Sequence, residues 1–219
     1  MAEFKTTKAP NLVISENDYK IQNEAQFRNQ LRLYFNQVDS GFEQILIGVG
    51  GANIDFPHIV AYYDTDQFSA ANNTPTKVLW NNALDVAGFT LNADSTATTD
   101  YDGTYKIEYR LQGVNTENVA LDVVVWLRVN NTDVADSATK FTIPARKSTG
   151  VSTFNILAAF VSWEATAGDT FSLYWATEKA FITGTQNGIY LESTAAQTSP
   201  YPHPEIPSSY GVIQYIGRE

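Results

Sequence analysis

Tyr105, Ile107, Tyr109 and Leu111 alternate with Thr104, Lys106, Glu108, Arg110 and Gln112. A period of two, with one apolar and one polar face, predicts a half-buried strand. Leu121, Val123, Val125, Leu127 and Val129 form the next inward row, with Val124 and Trp126 on the other side. Asn130-Asn131-Thr132-Asp133 follows as a turn. The stretch from Val151 to Trp163 is apolar on both faces. Such a strand lies between two layers or in an oligomer contact. Gly168-Asp169 is a turn before Phe171, Leu173 and Trp175, and Tyr210 to Ile216 closes the chain. About eight to ten short strands separated by turn signals favour a β-sandwich, and a jelly roll in particular, over a barrel. Residues 198–209 hold four of the eight prolines. They cannot form a central strand and read as a rigid lead-in to the last one.

A helical period replaces this alternation near the start. NEAQFRNQLRLYFNQVDSGFEQIL lacks proline and is rich in good helix formers. Asn23 suits an N-cap, with Gln26 as its capping-box partner. Phe27, Leu31, Tyr34, Val38 and Ile45 follow a heptad seam, which predicts a short coiled-coil stalk. Gly41 occupies a seam position and is expected to end or break the helix there. The competing reading is an amphipathic helix lying on its own domain. Phe35 and Phe42 broaden the stripe beyond what a two-stranded zipper needs. The chain therefore divides into an extended arm (1–22), a helical stalk (23–47), a glycine-rich hinge (48–57) and a β-domain (58–219).

Charge narrows the partners. The 219 residues carry a formal net charge of -10. Residues 1–50 hold five basic and six acidic side chains; the rest holds nine and eighteen. An acidic body repels phosphate backbones and anionic lipid, so neither nucleic acid nor membrane is an expected partner. The opening residues lack the apolar core of an export signal, and no apolar run approaches the roughly 18–20 residues of a membrane span. There is no cysteine, which removes disulfides and thiolate metal sites.

Catalytic chemistry is hard to place. There is no nucleophile elbow, HExxH motif, phosphate loop or Ser/His/Asp arrangement. The two histidines, His58 and His203, read as ordinary structural residues. No cofactor and no metal are expected. Asp64 and Asp66 read as loop carboxylates, and Asp133 and Asp136 as turn residues. Trp80, Trp126, Trp163 and Trp175 fall on strand patterns and belong in the core or at a subunit contact. Tyr62, Tyr63, Tyr190 and Tyr201 border loops and are the candidate contacts for a glycan.

Several segments carry a resemblance. Ala61-Tyr62-Tyr63-Asp64-Thr65-Asp66-Gln67 with Asn73-Thr74-Pro75 resembles the opening of a β-module of tailed-phage virion proteins. Gly103-Thr104-Tyr105, the run from Val125 to Val134, Ala167-Gly168-Asp169 with Trp175, and Pro204-Glu205-Ile206-Pro207-Ser208 continue the likeness in order. Trp126-Leu127-Arg128 with Asn130 is its most specific part. Leu31-Arg32-Leu33-Tyr34-Phe35-Asn36-Gln37 is similar to the helix that carries such modules on phage fibres. Residues 163–165 and 176–200 depart from the pattern. The resemblance implies a tumour-necrosis-factor-like jelly roll and a homotrimer. It further implies a structural role at the particle surface, as a short fibre or as a capsid decoration protein. Residues 1–22 would dock on another virion protein, and the head would face the host, with a host glycan as candidate ligand.

Overall fold

The computed structural model describes residues 21–46 and 56–217. The chain divides into two compact units, Met1–Asp55 and Phe56–Glu219. The arm at 1–20 and the hinge residues 48–55 lie outside the described residues.

In the first unit, helix α1 spans Ile21–Leu46. Glu24 sits in the first turn, where it complements the helix dipole, and pairs with Arg28 one turn on. The expected break at Gly41 does not occur, because the helix continues through it. An internal glycine costs about 1 kcal/mol relative to alanine. That weakens a helix of this length without stopping it. Along the predicted seam Leu31, Tyr34 and Val38 are half-buried, while Phe27 is exposed. Leu33 and Phe35 are also exposed, so apolar surface extends beyond the seam. The side chain of Ile45 lies outside the described residues.

Thirteen strands build the second unit. In chain order they are β1 (His58–Tyr63), β2 (Thr76–Lys77), β3 (Asn82–Ala87), β4 (Phe89–Leu91), β5 (Ala97–Thr99), β6 (Gly103–Asn115) and β7 (Leu121–Val129). Then follow β8 (Thr132–Asp133), β9 (Thr139–Ile143), β10 (Thr153–Ala165), β11 (Thr170–Thr177), β12 (Ile189–Leu191) and β13 (Ser209–Gly217). The first sheet runs β10-β6-β13-β1-β3, with β12 beside the end of β6. The second runs β4-β5-β11-β7, with β2 also on β11, and β8 and β9 both on the far side of β7. Every named strand pair is antiparallel.

The topology is that of a jelly roll. Take β1, β5, β6, β7, β9, β10, β11 and β13 as first to eighth. The first sheet then reads sixth-third-eighth-first and the second reads second-seventh-fourth-fifth. That is the double Greek-key order. The expected turn after β7 is a two-residue hairpin loop. Asn130 and Asn131 both take positive φ (49° and 61°), and Val129 pairs with Thr132. Two left-handed residues match the twist of the flanking strands, and asparagine tolerates that region best after glycine.

The core lies between the sheets. Tyr105, Ile107, Leu111, Ile59 and Ile213 from the first face Val123, Val125, Leu127, Phe171, Leu173 and Trp175 from the second. The predicted inward rows of β6 and β7 are thus the core rows. Trp80 crosses above Gly211, where a Cβ would come within 2.5 Å of the indole ring. Only glycine lets that ring lie on β13.

One buried polar group ties distant segments together. Gln67 Nε2 donates to Ser208 Oγ and Ser209 Oγ, both at 3.0 Å, and the Leu79 amide donates to Gln67 Oε1 at 2.7 Å. The Gln67 backbone exchanges two hydrogen bonds with Leu191, and Ser208 Oγ donates to the Thr65 carbonyl. Replacing Gln67 by leucine strands several of these groups in the interior. Leaving a buried group unpaired costs about 1–3 kcal/mol. The urea midpoint of Gln67→Leu should fall accordingly with an unchanged m-value; an unaltered midpoint would show the network to be dispensable.

Candidate functional site

The most unfinished surface is strand β10. It pairs with β6 along its whole length, and no described strand pairs with its other edge. Alternation sends Phe154, Ile156 and Phe160 to the outer face, where they are 59%, 55% and 65% exposed. On the inner face only Leu157 and Ala165 are fully buried; Ala159, Val161 and Trp163 pack against the core but stay half-covered. Both faces of the strand are therefore apolar and incompletely covered. Lys106 lies 4.9 Å from the Phe160 ring centroid and donates to Glu108 at 3.0 Å. At the opposite edge of the same sheet, β3 exposes Leu84 (64%) and Val86. Sequence reasoning found β10 apolar on both faces but did not single out Phe154, Ile156 or Phe160. Alternation reports a residue's face, never whether its strand has a neighbour.

The four candidate tyrosines do not form one platform. Adjacent strand residues face opposite sides. Tyr62 accordingly lies on the outer face of the first sheet opposite Tyr210, whereas Tyr63 lines a cavity beside Trp80. Tyr190 is half-buried: its ring packs on Phe68 and Phe181, at 5.4 and 5.0 Å between centroids. Its hydroxyl donates to Glu192 at 2.6 Å, and burial together with that carboxylate pushes its pKa up. Tyr201 alone is freely exposed, at 78%.

The most specific segment of the resemblance braces the fold. Trp126 and Arg128 share the outer face of β7, and both donate to Asp133 across the hairpin: Nε1 at 2.5 Å and Nε at 2.5 Å. Arg128 also lies 3.8 Å from the Tyr174 ring centroid, a cation–π contact. Asp133 is thus the clamp of this cluster as well as a hairpin residue. Of the other tryptophans, Trp80 and Trp175 are core and Trp163 is the half-covered residue of β10.

The carboxylates whose acidity shifts are all held ionised. Asp133 is lowered chiefly by Arg128, Asp122 by Lys140, Glu117 by Lys179, Asp94 by the Thr96 hydroxyl and Asp64 by the Asn81 amide. A general acid needs the opposite shift. Asp64 and Asp66 lie beyond the end of β1 and serve as loop acceptors, Asp66 for the Ser193 amide at 2.8 Å. His58 Nδ1 donates to the Phe56 carbonyl at 2.8 Å, and His203 Nδ1 to the Pro204 carbonyl at 2.7 Å. Among the described residues no cluster of three His, Cys, Asp or Glu side chains could hold a metal ion, and no helix is long and apolar enough to cross a membrane.

No protein-family model matches the chain, and no curated protein matches it. Among solved structures it is similar to Eiger TNF from S. frugiperda, at 11% identity and a TM-score of 0.47, over 76% of this chain and 96% of that one. It is also similar to murine APRIL, at 10% identity and a TM-score of 0.43, over 73% and 99%. The jelly-roll assignment rests on the strand order described above.

Lowered carboxylates give a signed pH dependence. A carboxyl more acidic in the folded chain stabilises it above its ordinary value, 3.8 for aspartate or 4.5 for glutamate, and that contribution disappears as pH falls through the folded value. Urea midpoints should therefore hold steady down to that range and drop below it. Glu117→Gln should flatten the acid decline; a protein that gained stability on acidification would contradict these assignments.

Proposed function

We propose that the chain is a structural, non-enzymatic protein of a tailed-phage particle, a homotrimeric appendage with a jelly-roll head. The observation that carries the assembly is β10, an edge strand with Phe154, Ile156 and Phe160 on one face and Val161 and Trp163 half-covered on the other. The occupant is a second copy of this chain. The first sheet has two different apolar edges, β10 and β3, so each copy offers one edge and receives the other. Such a head-to-tail contact closes into a ring or runs on as a filament. The resemblance favours closure at three.

The energies fit this arrangement. Full burial of a large apolar side chain is worth about 1.5–3 kcal/mol before the cost of association. Three such residues per contact, repeated around a ring, offset that cost better than the helix alone. A helix of this length has a costly nucleus and fewer than about four heptads to repay it. In this reading α1 sets the direction of the stalk through Phe27, Leu31, Tyr34 and Val38, and residues 1–22 bind a virion protein. The motif residues of the resemblance support it by building the module: Trp126, Arg128 and Asp133 form the clamp, while Gln67 and Ser208 form the buried network.

Light scattering of the full chain tests the assembly. Three copies of 24.2 kDa should give about 73 kDa. Phe160→Asp puts a charge into the contact and should yield monomer with an unchanged circular dichroism spectrum. Leu31→Asp with Val38→Asp should leave the trimer intact and abolish incorporation into particles. A monomeric wild-type chain would overturn the ring and leave assembly to be dictated by the particle, as for a decoration protein.

A further inference from the structure

We infer that the cavity beside Tyr63 is a binding site for a neutral saccharide. It lies on one chain, between the end of β1 and the loop joining β4 to β5, and has a volume of about 550 Å³. Small-molecule clefts span roughly 300–1,000 Å³, so a sugar ring is within its capacity. Its wall combines the Tyr63 ring and the apolar Leu79 and Leu91 with the polar Asn81, Asn92 and Ser95.

The chemistry of that wall selects the ligand. No lining residue is charged. A phosphate, carboxylate or sulfate would find no counter-ion there, and the acidic body repels anions. A purely apolar guest would leave the Asn92 carbonyl oxygen without a partner. A polyhydroxyl ring serves both halves of the wall: a hydroxyl can donate to Asn92 Oδ1, and its C–H face covers an aromatic ring.

The amides are held before any ligand arrives. Asn81 Nδ2 donates to Asp64 Oδ1 at 3.0 Å, and Asn81 Oδ1 accepts from Asn82 Nδ2 at 2.8 Å. Asn82 Nδ2 also reaches Asp64 Oδ2 at 3.1 Å, so one carboxylate fixes two amides. Asn92 Nδ2 donates to Thr96 Oγ1 and Thr98 Oγ1, each at 2.8 Å. Asn92 Oδ1 accepts no hydrogen bond from a described residue. The loop itself is pinned: Ser95 takes φ 64° and its hydroxyl donates to the Trp80 carbonyl at 2.9 Å. Groups locked by a surrounding shell bind without paying for their own ordering. Asp64, Tyr63 and Gln67 belong to one short segment, so the shell is anchored to the buried Gln67 network.

One chain builds the whole cavity, so its occupancy and the trimer can fail separately. The test is saturation-transfer NMR on the full-length protein, with methyl glucoside, methyl galactoside and methyl mannoside as neutral probes and N-acetylneuraminic acid as the anionic one. At least one neutral probe should receive magnetisation, and the anionic probe none. Ala93 is exposed at the cavity mouth, so Ala93→Trp plugs the site without touching the core and should abolish the transfer. Tyr63→Ala removes the ring that the sugar face covers and should weaken it several-fold, whereas Tyr63→Phe keeps that ring and Tyr201 lies outside the cavity, so Tyr63→Phe and Tyr201→Ala should both retain the transfer. Light scattering on the same samples reads the assembly independently. Absence of transfer from all three glycosides, transfer that survives Ala93→Trp, or preference for the acid would each overturn the assignment.

Discussion

The carboxamide of Gln67 is the constraint on which the domain depends. It is buried between segments far apart in sequence and must satisfy its donors and acceptor there, because water cannot reach it. It does so only if Leu79, Leu191, Ser208 and Ser209 arrive together. That meeting places β13 beside β1 at the middle of the first sheet and fastens β12 to the end of β6. Once the middle is settled, the edges follow: β10 on one side and β3 on the other. The same network stiffens the segment from Tyr63 to Gln67, which carries one wall of the cavity.

Much of this was legible in the pattern of side chains. The rows on β6 and β7 show clean alternation, and burial follows it along β7 and along β6 as far as Gln112. Asn130-Asn131 announced a tight turn because few other residues accept two successive positive φ values. Other features were not legible, for physical reasons. Gly41 suggested a helix end, but a single glycine carries only a modest penalty and the rest of the helix outweighs it. Tyr62 and Tyr63 were grouped as candidate contacts because both border a loop, yet neighbours in a strand face opposite sides. The cavity escaped notice because Tyr63, Asn81 and Asn92 come from three segments whose meeting is a tertiary fact.

The two surfaces differ in what they demand of a partner. The Asn81 and Asn92 amides of the cavity wall are already held by Asp64, Asn82 and Thr96 behind it, so the wall keeps its shape without a ligand. The β10 edge is the reverse. An open strand with an apolar face invites indiscriminate pairing, and proteins usually guard such edges with charge, proline or a covering element. Beside β10 the guards are Lys106, Glu108 and Glu164, and they flank the apolar residues without interrupting Phe154, Ile156 and Phe160.

In the proposed assembly, net charge would shape how that edge is satisfied. Each copy is acidic, so two copies repel at long range and contact must be won at short range. Only a close-fitting apolar surface overcomes repulsion between like-charged bodies, which selects against loose, unspecific pairing. A ring satisfies β10 and β3 on every copy at once and leaves neither edge open. A filament always leaves one of each at its ends. In the proposed ring, closure would turn an aggregation hazard into a defined number of subunits, and the acidic outer surfaces would keep finished assemblies apart.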